Sequence, residues 1–332
     1  MLITPSNLAF FFTAVESRFW QAYKTADLWH ERVATTVPVS TEVWLAGWIG
    51  MLDKVREWTG SRIKHQPAPQ TYQVAMQLYE QTQSIDKYKL MDDQFGIYNP
   101  TIDFMGKQSA KWPDYQLRDL ILNTGTQTGS RQNGLDALTH WNTAHPVDFY
   151  DSSKGTYCND FSGGVSVGGV TVGGAFTTNG FNTLWEEFAS RKSESGEALG
   201  IIADLTMGPP QLKAPMTTIL QSQFYAPPQM GVLGSGSGAN AAFVGSMENP
   251  LRGWTDLLTL PDFAAAPTTW FMLCTTAPQK PFTWLLRQAP NFVARINPDD
   301  PAVFDNHEFI YGADMRGAPA WSLAWLSAKS AP

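Results

Sequence analysis

Apolar residues recur at helical spacing near the start of the chain. Leu8, Phe11, Phe12, Val15 and Phe19 stand at i, i+3, i+4, i+7 and i+11. The stripe predicts an amphipathic helix, with Thr4 or Ser6 as its cap around Pro5. Val33 to Gly50 is rich in Val, Thr and Trp and predicts strand and turn, with a short helical turn over Leu52 to Trp58. From Thr71 to Ile85 the period changes to two: Tyr72, Val74, Met76 and Leu78 fall on one face, Gln73, Gln77 and Tyr79 on the other. Between these segments, Arg62 to Gln70 is polar and broken by prolines, as an exposed tip would be. Together they predict a long hairpin over residues 36 to 84. A two-stranded projection is marginal alone, so it needs a surface to rest on.

The longest helical pattern covers Asp93 to Thr124. Tyr98, Ile102, Met105, Trp112 and Leu120 lie near one face. Asn99 fits an N-cap and Pro100 a first helical residue, since its missing N–H would go unpaired there anyway. Asp103 with Lys107 and Asp114 with Arg118 are i,i+4 pairs with the acid first. Pro113 predicts a kink or a junction between two shorter helices. A continuous helix would reach about 35–40 Å.

After a polar break over Gly125 to Asn133, Leu135 to Pro146 is compact and aromatic. Gly-Gly then recurs every five residues from Gly163 to Gly174 with valines between, which predicts a flexible loop or hairpin. Phe181, Leu184, Trp185 and Phe188 return to helical spacing, with Thr183 and Glu186 as a capping box. Leu199 to Leu205 predicts a buried strand, Pro210 to Gln223 a helix, and Tyr225 to Asn240 a loop. Gly253 to Leu260, Thr268 to Thr275 and Phe282 to Gln288 predict successive strands. Asn297 to Pro301 marks a boundary, and Glu308 to Tyr311 with Pro319 to Leu326 predicts a strand pair.

Composition changes the picture in one respect. Of 332 residues only 16% are charged, against roughly 25% in typical soluble chains, while 13 are Trp and 19 Phe. Low charge with many aromatics fits a chain that buries surface against partners; a well-packed enzyme with an uncharged polar surface fits equally well. The net charge of −7 argues against a nucleic-acid-binding module. Cys158 and Cys274 make no disulfide framework and read as buried thiols. Leu8 to Val15 lacks the basic flank of a signal peptide and the length of a membrane span.

Candidate chemistry is sparse. Gly234 to Gly238 lacks the spacing of a dinucleotide loop and the lysine of a P-loop. His140, His145 and Asp148 match no standard zinc spacing, and His145 before Pro146 reads as a turn with a structural hydrogen bond. His30, His65 and both cysteines stand without sequence partners, and Asp305, His307 and Glu308, just before the final strand, read as solvated or paired across it. We therefore expect no catalytic residue, no metal site and no cofactor.

Four stretches carry a family resemblance. Phe95 to Pro100 with Met105-Gly106 and Pro113-Asp114 resembles the corresponding stretch of the major head proteins of Mu-like tailed bacteriophages. Leu2 to Pro5, Trp48 to Gly50 and Glu57 to Arg62 resemble the family's opening, and Thr143 to Pro146 its short His-Pro stretch. Asp300 to Phe304, Tyr311 to Asp314 and Arg316-Gly317 resemble its end. The resemblance implies an α+β fold of the Hong Kong 97 capsid type. Its expected parts are an N-terminal arm (1–35), an extended loop (36–84), a peripheral domain with a long spine helix (85–180), an axial domain (181–296) and a C-terminal return to the peripheral domain (297–332). It implies a structural subunit of an icosahedral shell around double-stranded DNA, assembled in the bacterial cytoplasm and resident in the virion. The expected partners are other copies in hexamers and pentamers, a scaffolding protein, a portal and a decoration protein, with DNA enclosed without specific binding and no membrane. Expected inter-subunit contacts are Phe11, Phe12 and Phe19 in the arm and Arg62, Lys64 and His65 at the loop tip. The alternatives are a nanocompartment shell of the same fold and a cytoplasmic hydrolase with an unrecognised site.

Overall fold

A computed structural model describes residues 5–46, 72–92, 96, 98–124, 133–148, 151–225, 247–295, 297 and 307–332. The short helix predicted at Leu52 to Trp58, the tip with Arg62, Lys64 and His65, the polar break after the long helix and the Gly234 to Gly238 loop lie outside the described residues. In chain order the elements are α1 (Pro5–Lys24), α2 (His30–Val33), β1 (Ala34–Pro38), β2 (Val43–Ala46), β3 (Tyr72–Ala75), β4 (Gln77–Asp86), α3 (Lys87–Asp92) and α4 (Asn99–Ile121). Then come β5 (His145–Pro146), β6 (Thr156–Tyr157), β7 (Val165–Val167), β8 (Val170–Val172), α5 (Thr178–Ala189), β9 (Leu205–Gly208), α6 (Lys213–Leu220), β10 (Phe224–Tyr225) and β11 (Met247–Glu248). The chain closes with β12 (Asp256–Thr259), β13 (Trp270–Leu273), β14 (Phe282–Arg295), β15 (Glu308–Trp321) and β16 (Ser327–Ser330). The chain divides into two compact units: residues 1–46, 73–132 and 282–320 form one, and 47–72, 133–281 and 321–332 the other.

In the first unit the sheet order is β1-β14-β15-β4. β1 runs parallel to β14, and β15 pairs antiparallel with β4 from Glu308↔Asp86 to Gly317↔Gln77. Aromatic residues of this sheet pack on α1 and α4. Phe12 meets Phe309 and Tyr311 at 6.2 Å, Phe19 meets Phe292 at 5.3 Å, and Trp112 meets Trp284 edge-on at 4.7 Å. Edge-on aromatic pairs at such distances add about 0.5–1.5 kcal/mol beyond their burial. Gly317 makes the room: a Cβ there would stand 2.9 Å from the Trp112 ring and 2.6 Å from the Leu285 carbonyl.

α1 lies beside α4 in parallel. Arg18 meets Asp103, and beyond the end of α1 His30 meets Asp114, at sequence offsets of 85 and 84, so the two segments advance together. The close approach is at Gly106, where a Cβ would stand 2.6 Å from the Phe19 carbonyl oxygen. Both predicted i,i+4 pairs give way to these tertiary contacts. Arg18 donates to both oxygens of Asp103 at 2.7 and 2.6 Å, and Arg118 turns to Asp119. Asp114 is buried and accepts from the backbone N–H of His30 and from its ring nitrogen at 2.6 Å. A buried carboxylate needs a partner in the interior, and a flexible arginine one turn away on the surface is the poorer one.

The helix also differs from its prediction at both the cap and Pro113. Tyr98 occupies the cap position and Asn99 is the first helical residue, without a side-chain cap. α4 continues through Pro113 for 23 residues. Proline forfeits one backbone bond, and burial of Trp112, Pro113 and Asp114 holds the helix together across it. In the strands, the alternation changes phase at Met76, which separates β3 from β4 and donates its N–H to Glu42. Leu78 therefore leaves the buried face of Tyr72, Val74 and Met76 and is 68% exposed.

In the second unit the sheet order is β12-β9-β13-β16. β9 and β13 are buried along their whole length, so their runs are continuously apolar or small rather than alternating. The strand predicted over Leu199 to Leu205 begins only at Leu205. The first predicted C-terminal segment extends into a 14-residue strand, β15, that takes in only the start of the second; the rest of the second ends in a 3-10 turn over Ala324–Leu326, and β16 follows and pairs with β13. α5 is capped by Thr177, whose hydroxyl accepts from Gly180 N–H at 3.0 Å; Thr183 instead donates back to the Asn179 carbonyl inside the helix. The Gly-Gly-Val stretch is the hairpin β7–β8. Gly168 and Gly169, at φ +57° and +86°, supply the two positive dihedrals of its tight turn.

Candidate functional site

The expected contact residues of the N-terminal helix separate by burial. Phe12 and Phe19 are buried in this chain's own first unit. Phe11 is half-buried, edge-on to Phe12 at 5.3 Å. The residue on the outer side is Phe10, 79% exposed, and on α4 it is Phe104, 65% exposed. A groove of about 310 Å³, lined by Phe11, Ala14, Arg18 and Asn99 among others, runs between α1 and the start of α4. Helical periodicity marked the stripe but not which flank of it faces solvent.

The second unit holds a buried polar cluster. His145 is fully buried, and its Nδ1 lies 2.5 Å from the buried Asp136 carboxylate. Its Nε2 faces the His140 carbonyl at 2.9 Å and Asn159 Oδ1 at 3.1 Å. The Asn159 amide is oriented by its other bonds: Oδ1 accepts from Asn142 N–H, and Nδ2 donates to the His140 carbonyl at 2.7 Å. Both ring nitrogens of His145 thus face hydrogen-bond acceptors. This bears out the structural hydrogen bond expected before Pro146. The partner is Asp136, nine residues earlier in the sequence.

His140 stacks on Trp321 at 3.9 Å, and its Nε2 lies 3.1 Å from Ser327 Oγ. Burial, and then the charge of His145, hold its pKa well below the ordinary histidine value. Ser327 is fully buried and also donates to the Ala324 carbonyl, so this serine–histidine contact offers a substrate no approach. Arg191 is buried at the end of α5. It donates to the carbonyls of Trp325 at 2.5 Å and Cys158 at 3.0 Å, and its guanidinium sits 4.4 Å from the Phe188 ring centre. Desolvation lowers its pKa to about 10, which leaves it cationic at neutral pH. Burial raises the Cys158 thiol to about 11, out of the reactive range. Among the described residues no cluster of His, Cys, Asp and Glu could hold a metal ion, and no helix is long and apolar enough to cross a membrane. The cluster is cross-bracing: Arg191, Asn159 and His140 tie the chain around 140–160 to the segment around 324–327. Sequence inspection found the two histidines and passed over Asp136 and Arg191, which no local spacing distinguishes from surface charges.

Comparison with known proteins places these features. The family model of the Mu-like prophage major head subunit gpT matches residues 8–168 and 261–331. The major capsid protein of Escherichia phage Mu is 28% identical over 156 residues, 47% of this chain and 49% of that protein. The Mu-like prophage FluMu major head subunit of Haemophilus influenzae is 23% identical over 145 residues, 44% of this chain and 46% of that protein. The chain thus spans about half the length of the curated relatives it matches. Among solved structures, the procapsid of bacteriophage JBD30 superposes with a TM-score of 0.57 at 21% identity, covering 99% of this chain and 76% of that one. A virus-like particle from Pyrococcus furiosus superposes at 0.52 with 8% identity, covering 96% and 99%. At such identities the likeness is one of fold: α+β, of the Hong Kong 97 capsid type. With the family model matched across both ends of the sequence, this chain belongs to the Mu-like prophage major head subunit family.

Proposed function

We propose that the chain is the shell-forming subunit of a tailed-phage head, assembling into hexamers and pentamers of a closed icosahedral shell around double-stranded DNA. The observation that carries this is the family match over 8–168 and 261–331, which includes α1, α4 and the strands β14, β15 and β16. The role is one of packing, without chemistry. A scaffolding protein directs assembly in the bacterial cytoplasm, a portal occupies one vertex, and a decoration protein binds outside.

Within that reading we assign the first compact unit to the peripheral domain, with α4 as its spine, and the second to the axial domain, which moves 133–180 and 321–332 from the expected peripheral part to the axial one and 282–296 the other way. The part of the expected 36–84 stretch that lies between β1 and β4 supplies the extended loop, with Arg62, Lys64 and His65 at its tip as contacts, while β1 and β4 are strands of the first unit's sheet. In α1 the contact residues are Phe11 and, by its exposure, Phe10, whereas Phe12 and Phe19 serve the chain's own core. An exposed phenylalanine on a low-charge helix is the kind of surface that oligomer interfaces bury.

Sedimentation of the chain co-expressed with its scaffold tests the proposal. Species of capsid size, or free rings of subunits, are the expected result. Phe10→Asp should reduce them while leaving the melting temperature of the subunit unchanged. Only monomers and dimers from the unmodified chain, with scaffold present, would overturn the proposal.

A further inference from the structure

The outward face of α4 carries an unspent set of groups. At 100° per residue, Phe104, Lys107, Lys111, Tyr115 and Arg118 fall within an arc of roughly 80°, along about 21 Å of axis. The opposite arc buries Ile102, Met105, Ser109, Trp112 and Leu120. Of the acids near the outward face, Asp103 is committed to Arg18 and Asp114 to His30, while Asp119 pairs with Arg118 inside the strip, so the uncompensated positive charge is that of Lys107 and Lys111. Lys107 and Lys111, one turn apart, form no ion pair among the described residues. Between them and the start of the helix stands Phe104, 65% exposed. Arg118 lies over the Tyr115 ring at 5.6 Å, closing the strip with a second aromatic. In a chain of net charge −7, this is a basic and aromatic strip on a rigid helix.

We propose that this face docks an acidic amphipathic helix contributed by another polypeptide. The inference rests on the head-subunit reading for its context and adds a partner class to it. Charge complementarity selects carboxylates opposite Lys107 and Lys111. The exposed ring of Phe104 selects an apolar stripe beside those carboxylates, because aromatic anchors dominate interface energetics once water is excluded. A DNA backbone would answer the lysines and leave Phe104 in water, so the protein partner fits the whole strip where duplex DNA fits part of it.

The test uses the full unassembled chain and a labelled synthetic helix about five turns long. The helix carries leucines at i, i+3, i+4 and i+7 with flanking glutamates. We expect binding that weakens about tenfold or more for the Lys107→Gln/Lys111→Gln double variant and for Phe104→Ser. It should also fall as salt rises from about 50 to about 300 mM, and it should vanish for the peptide with every Glu replaced by Gln. All three positions face solvent or lie at its edge, so the variants should melt like the parent chain. Absence of binding, or equal binding by the variants, overturns the proposal. So does a duplex of about 20 bp that displaces the peptide and depends on the lysines but not on Phe104. Shell formation by the unmodified chain is read separately, so a failed docking face and a failed head-subunit reading give different results.

Discussion

Replacing Asp136 by Leu should lower the stability of the second unit by about 1–3 kcal/mol, the usual cost of leaving a buried polar group without its hydrogen-bond partner. The carboxylate lies 2.5 Å from His145 Nδ1, with His145 fully buried. Its removal leaves a ring whose other nitrogen already donates to the His140 carbonyl. The Nδ1 side is then left facing a leucine, a buried polar atom without its partner. Asp136→Asn keeps an oxygen in place and should cost less. The double variant Asp136→Leu/His145→Leu should recover part of the single-variant loss, because replacing both partners leaves no buried polar group unpaired. Thermal unfolding of the four proteins is the measurement. A loss under about 1 kcal/mol for Asp136→Leu alone would place the pair among those that contribute little.

Gly106→Leu should unseat α1 from α4, with a loss of about 3 kcal/mol. A Cβ at this position would stand 2.6 Å from the Phe19 carbonyl oxygen and 2.9 Å from the Ala22 side chain. The first of these is backbone and cannot rotate away. Removing a mid-helix glycine returns only about 1 kcal/mol of helix propensity, so the clash wins. The damage should be local. Hydrogen exchange should show α1 amides losing protection, while the strands of the second unit keep theirs. Native protection across α1 in Gly106→Leu would mean that the helix does not depend on this approach.

These two sites show where sequence and structure part company. Elements with strong periodicity were legible: the stripe of α1, the length of α4, and the helix spacing of Phe181, Leu184 and Phe188. Rules that consider only near neighbours failed where a distant residue competed. Asp103 and Asp114 each had a lysine or arginine one turn away, yet Arg18 and His30 claimed them. Thr183 and Glu186 matched a capping pattern, while the true cap, Thr177, stood where the chain turns into the helix. Leu78 matched the strand alternation until one residue, Met76, shifted its phase. The Asp136–His145 pair was invisible for the same reason, since its meaning comes from burial and from Asn159, fourteen residues beyond His145. Family motifs, by contrast, were legible without any of this geometry, because they record which residues occur together rather than why.

The most direct test of the account is cryo-electron microscopy of particles formed by this chain with its scaffold. The account predicts closed shells or curved sheets whose repeating subunit density accommodates α4 lying beside α1 on the β1-β14-β15-β4 sheet, with Phe10 at a contact between copies. Only small discrete oligomers across scaffold ratios and salt conditions, with the subunit folded as described, would contradict it.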